Sequence, residues 1–158
     1  MNKYWKQITR KEYVLMTNEA RVATLHMTKH GQAEIYTNEQ QYCIIRKKSW
    51  FRSFRVLDAQ GNIVAEASPK KWYSESLLFQ YQQQVYLIKH RNNPLFEVVL
   101  QNLQKQDIIA YGKGIENLKE KIKVTDHRQG SNTTDYLPDA IVWFLFQSAP
   151  ELDVMDFI

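Results

Sequence analysis

The sequence predicts an all-β fold: a closed or nearly closed antiparallel barrel of about twelve strands around an apolar C-terminal helix. Three observations predict it. Short apolar or alternating runs recur along most of the chain, and each is cut off by turn residues. Residues that suit a pleated, half-buried surface are plentiful, with aromatics at 13%, nine Tyr and four Trp. The only long apolar run comes late, over residues 140–146, just behind Pro138.

The runs at 13–16, 22–27, 33–36 and 42–45 stop at Thr17-Asn18-Glu19, Lys29-His30-Gly31, Thr37-Asn38-Glu39 and Arg46-Lys47-Lys48. Residues 54–57 then run into Asp58-Ala59-Gln60-Gly61-Asn62 before 63–65. Asp opens such a turn and Gly accepts its positive φ, so a hairpin is expected here. Leu77, Phe79 and Tyr81 alternate along the next strand, and a run of Gln separates it from 85–88. Asn92-Asn93-Pro94 breaks the chain before 95–100. The run at 107–111 is expected to end in a tight turn at Gly112-Lys113-Gly114, which lacks the third Gly or Lys-Ser/Thr of a phosphate loop. Residues 119–124 put three Lys on one face and Ile122 and Val124 on the other, the pattern of an edge strand whose wet face resists further pairing.

A polar stretch, 126–136, leads to the helix, predicted over residues 138–148. Pro138 suits a first helical turn, and Pro150 is expected to end the helix soon after Ser148. Ile141, Val142, Trp143, Phe144, Leu145 and Phe146 leave it no polar face, so it must be buried on every side. A barrel threaded by its own helix provides that burial, at about 2 kcal/mol for each side chain.

The 158 residues fit one domain, 1–158, with no repeat or linker. Net charge is +4, from 21 Lys and Arg against 17 acids, which permits an anionic partner without demanding one. A single cysteine, Cys43, excludes an intrachain disulfide and a multi-Cys metal site. It reads as a small buried hydrophobe. The first residues carry no apolar h-region, so no signal peptide is expected, and no run reaches membrane-span length. A cytoplasmic protein, at most peripheral to a membrane, is the expectation.

The hairpin from Phe54 through Asp58-Ala59-Gln60-Gly61-Asn62 to Ile63, then Trp72, Phe79-Gln80-Tyr81 and the closing helix, resemble the tubby C-terminal-like superfamily. Within it the pattern is most similar to LURP-one-related proteins and their small bacterial relatives. The resemblance spans nearly the whole chain and rests on an order of elements. It implies a barrel around a helix, and mostly non-enzymatic relatives. Tubby domains bind phosphoinositides through basic side chains, but no individual ligand residue can be carried onto this chain.

Catalytic signals are thin. His26, His30, His90 and His127 are scattered, and no metal or other cofactor is expected. Ser131 lacks the flanking glycines of a nucleophile elbow, and Asp58 is explained by its turn. The best functional candidates are two basic-aromatic clusters: Lys47, Lys48, Trp50 and Arg52, then Lys70, Lys71 and Trp72. If the intervening hairpin forms, both lie on one rim. Cations attract phosphates, while Trp suits a membrane interface or stacks on bases. The plainer reading is solvated loop charge beside aromatics that seal a barrel end. The expected function is therefore non-enzymatic binding of anionic phospholipid headgroups or a membrane surface. The alternatives are a nucleic-acid-binding barrel or a carrier of a small apolar ligand; protein partners are left open.

Overall fold

Each strand after the first pairs with the one before it in the chain. The structure, a computed structural model, describes residues 3–38, 40–46, 53–69, 71, 76–92, 95–128 and 135–155. Twelve strands lie antiparallel in consecutive order in one sheet, nearly closed into a barrel. They are β1 (Lys3–Thr9), β2 (Glu12–Thr17), β3 (Ala20–Met27), β4 (Ala33–Thr37), β5 (Gln41–Arg46) and β6 (Phe54–Asp58). β7 (Ile63–Pro69), β8 (Leu77–Tyr81), β9 (Gln84–Asn92), β10 (Phe96–Gln101), β11 (Asp107–Glu116) and β12 (Lys119–Asp126) follow, and α1 (Leu137–Met155) closes the chain.

The predicted hairpin is β6–β7. Asp58 Oδ1 accepts hydrogen bonds from the backbone N–H of Gln60 at 3.0 Å and of Asn62 at 2.9 Å, and Gly61 sits at φ 85°. Leu77, Phe79 and Tyr81 face inward, as their alternation implied.

Three expectations change, and one strand has no counterpart in the sequence reading. Lys3–Thr9 is a strand although its sequence shows no apolar alternation. Its inward positions include Lys3 and Trp5, while Tyr4 and Ile8 face water. β11 does not turn at Gly112-Lys113-Gly114 but runs through it to Glu116. A Cβ at Gly112 would lie 2.8 Å from Glu97 Cβ on β10, so this glycine serves close strand packing. The helix also continues past Pro150 to Met155, despite the backbone hydrogen bond that a proline there forfeits. Cys43 is half-buried, because its neighbour Ile44 takes the inward position on β5.

The helix fills the barrel. Leu137 and residues 140–146 are at most 6% exposed. Trp143 stacks on Trp5 at 5.4 Å between centroids and meets Tyr13 and Tyr111 edge-on; Phe144 meets Phe54 edge-on, and Phe146 stacks on Phe96. No helix among the described residues is long and apolar enough to cross a membrane.

Candidate functional site

Antiparallel pairing in chain order sorts the connections into two sets at opposite ends of the barrel. One end gathers the links β1–β2, β3–β4, β5–β6, β7–β8, β9–β10 and β11–β12. The other gathers the remaining links, the start of β1, the end of β12 and the start of α1. In sequence, the first set carries Arg10, Lys11, Lys29, Lys47, Lys48, Arg52, Lys70 and Lys71 against one acid, Glu75. The second set of strand-to-strand links carries Lys105 against Glu19 and Glu39.

Of the seven predicted site residues, Lys47, Lys48, Trp50, Arg52, Lys70 and Trp72 lie outside the described residues. Lys71 is described and exposed. The strand ends that lead into both clusters are adjacent: Arg46 is opposite Phe54, Phe54 opposite Ala67, and Ala67 opposite Phe79. Arg10, Lys11 and Lys29 are exposed in neighbouring links. Sequence reading passed over these three, since each looks like an ordinary turn cation until the strand order is known. Arg46 caps this end of the core. Its Nε donates to the Gly31 carbonyl at 2.9 Å, and its guanidinium lies 5.7 Å from the Phe144 ring centre.

The opposite end holds a buried ionic network that sequence reading missed entirely. Asp139, in the first turn of α1, is fully buried. Its carboxylate accepts hydrogen bonds from Lys3 Nζ at 2.8 Å, Tyr111 Oη at 2.8 Å and Arg128 at 2.6 Å. Asp126 accepts from Lys3, from the Arg128 backbone N–H at 2.9 Å and from the Arg128 guanidinium at 2.9 and 3.1 Å. Trp5 Nε1 donates to Tyr111 Oη at 3.0 Å. Two cations and two carboxylates thus balance within one cluster. The cluster sits where β1, paired among the described residues only to β2, faces β12, paired only to β11. Side chains join the two edges in place of a backbone ladder.

The electrostatics agree with a structural role. Burial alone would raise the Asp126 carboxyl, but the hydrogen bonds from Arg128 and Lys3 outweigh it and hold the group well below the usual carboxylate range. Burial likewise works against the Arg128 charge, and its carboxylate partners more than restore it. Burial, then the charge of Asp139, pushes the Tyr111 phenol far up. On the outer wall, Arg91 bonds Glu97 and Asp107, and its hydrogen bond lowers Asp107.

A pH dependence follows. Folding depresses the carboxyls of Asp126 and Asp107, so their stabilisation is complete above the unfolded value, about pH 4. It is lost as pH falls through the folded values. Urea midpoints followed by circular dichroism should hold from neutrality to about pH 4 and then drop steadily, and Asp126→Asn should flatten part of that drop. A decline confined to the histidine range would contradict this account.

A cleft of about 640 Å³ opens beside the network, between β8–β11 and the start of α1. Phe79, Tyr81, Tyr86, Leu100, His127 and Arg128 are among its lining residues. Tyr81 donates to Asp135 at 2.7 Å, and burial together with that carboxylate pushes its phenol far up. Arg128 is already committed to Asp126 and Asp139, so the cleft offers mixed polarity without an unspent charge from that residue. No group of three or more His, Cys, Asp or Glu suited to a metal ion occurs among the described residues.

No family model matches the chain, and neither a curated protein nor a solved structure matches it.

Proposed function

We propose that the protein is a non-enzymatic binding protein that recognises anionic phospholipid headgroups, or an anionic membrane surface, through the basic-aromatic rim. The observation that carries this reading is the sorting of charge by topology: four of the six links leaving one end hold eight Lys and Arg against one acid, whereas those leaving the other hold one Lys against two acids. Each Lys or Arg near an anionic surface contributes about 1 kcal/mol, so such a rim binds through many weak contacts in parallel. The resemblance to tubby-like domains supports the same reading, as does the filled interior, which favours rim over lumen.

The test is co-sedimentation with phosphatidylcholine vesicles with and without phosphatidylserine. The natural chain should pellet with the anionic vesicles only. Reversing Lys47, Lys48, Lys70 and Lys71 to Glu should weaken binding at least about a thousandfold, from roughly 1 kcal/mol lost per neutralised cation before repulsion is added. Equal recovery on neutral and anionic vesicles, unaffected by that reversal, would sink the proposal. Binding to single-stranded oligonucleotides that weakens steeply with salt, in the absence of vesicle binding, would favour the nucleic-acid alternative.

A further inference from the structure

The last two strands reach beyond the barrel. The pairing of β10 with β11 reaches no further than Glu97 opposite Gly112. Among the described residues, β11 from Lys113 to Glu116 pairs only with β12, whose other edge has no partner strand. At about 3.4 Å per residue, this ribbon extends roughly 14 Å past its last neighbour before it turns. It leaves from the end that gathers the cationic links.

Its tip is apolar and wet. Leu118 is 98% exposed, Ile115 70% and Ile122 41%. The turn residues Asn117 and Leu118 have φ of 52° and 64°, the left-handed pair that two-residue hairpins favour. Two other hairpins of this barrel use the same conformation, at Asn18-Glu19 and Gln82-Gln83, and both put a polar residue second. Leucine is disfavoured in that conformation and gains no packing here to offset it. The ribbon also carries Lys119, Lys121 and Lys123 on one face, all exposed, while Ile115 and Ile122 share the other with Glu120, opposite Ile115, and Lys113, opposite Ile122. Lys121 pairs with Glu116 at 2.7 Å across exposed positions.

We infer that the β11–β12 hairpin is a membrane wedge: Leu118, with Ile115 and Ile122, enters the headgroup–acyl boundary of an anionic bilayer while the flanking lysines meet the headgroups. This rests on the proposed anionic-surface binding by the rim and adds the depth and orientation of docking. An apolar tip with a cationic collar is the chemistry of interfacial insertion. A second copy of the chain is a poor occupant, since two such lysine-bearing edges repel.

The experiment places an environment-sensitive nitrobenzoxadiazole label at position 118 through Leu118→Cys in a Cys43→Ala background. The label should brighten and shift to the blue on phosphatidylserine vesicles, and nitroxides on the acyl chains should quench it. In the otherwise natural chain, Leu118→Asp should weaken vesicle binding on the order of tenfold, as expected for withdrawing one leucine from an apolar phase. Its melting temperature should not fall, because residue 118 is 98% exposed and aspartate suits the left-handed backbone better than leucine. If the chain binds the vesicles while the label keeps its aqueous emission, the wedge is refuted and the rim reading stands. If the chain ignores anionic vesicles, both fail. A shift that follows protein concentration without vesicles would assign the tip to self-association and overturn the wedge.

Discussion

Asp139→Ala should destabilise the fold by about 3–5 kcal/mol, the usual consequence of removing one partner from a buried ion pair. For a chain of this length that is roughly 10 °C in melting temperature. The size follows from what remains behind. Lys3 and Arg128 would keep Asp126 as a carboxylate partner, and Tyr111, fully buried, would lose its acceptor. Thermal and urea unfolding by circular dichroism measure the loss. Two companions identify its source. Tyr111→Phe removes one donor to Asp139 and the acceptor of Trp5 Nε1, and should cost about 1–3 kcal/mol. Lys3→Met combined with Asp139→Ala should cost less than the two single changes added, because the residues bond directly. A loss below about 1 kcal/mol for Asp139→Ala would mean that the β1–β12 junction is held by something else. Vesicle binding at a temperature where the variant stays folded should be unaffected, since the network lies at the far end from the cationic links.

The parts of this fold that were legible in the sequence are those whose signal is local. The helix could be read because seven consecutive apolar residues leave no wet face, and the β6–β7 hairpin because Asp58 and Gly61 fit their turn. β1 could not be read, because barrel closure overrides the usual pattern: Lys3 and Trp5 point inward to partners on β11, β12 and α1. Lys3 and Asp139 are 136 positions apart, and each looks like surface charge when taken alone. One clue was available. An aspartate one residue before a wholly buried helical run needs a buried partner. The candidate rim shows the same division. Two dense clusters stand out in sequence, whereas Arg10, Lys11 and Lys29 join them only through consecutive strand order.

Trp143→Ala should cost a further about 3–5 kcal/mol, the range for emptying a large aromatic site in a packed core. Trp143 is the inner counterpart of the ionic junction. It stacks on Trp5 of β1 and meets Tyr13 of β2 and Tyr111 of β11, so one indole braces strands from both sides of the gap. Removing it leaves Trp5 without its stacking partner and a cavity where β1 lacks a ladder to β12. The damage should therefore be local before it is global. Hydrogen exchange should show β1 amides opening earlier than those of β6 and β7, which are paired on both sides. Trp143→Phe provides the contrast. The buried Trp143 Nε1 has no hydrogen-bond partner among the described residues, so phenylalanine removes an unsatisfied donor while keeping an aromatic face against Trp5. Its cost should be well below that of alanine. Equal losses for the two variants, or uniform exchange across all strands, would show that Trp143 only fills space and does not hold the β1 edge. If the edge does depend on it, the β1–β12 gap is held by two side-chain devices, the ionic cluster and the indole stack, in place of a backbone ladder.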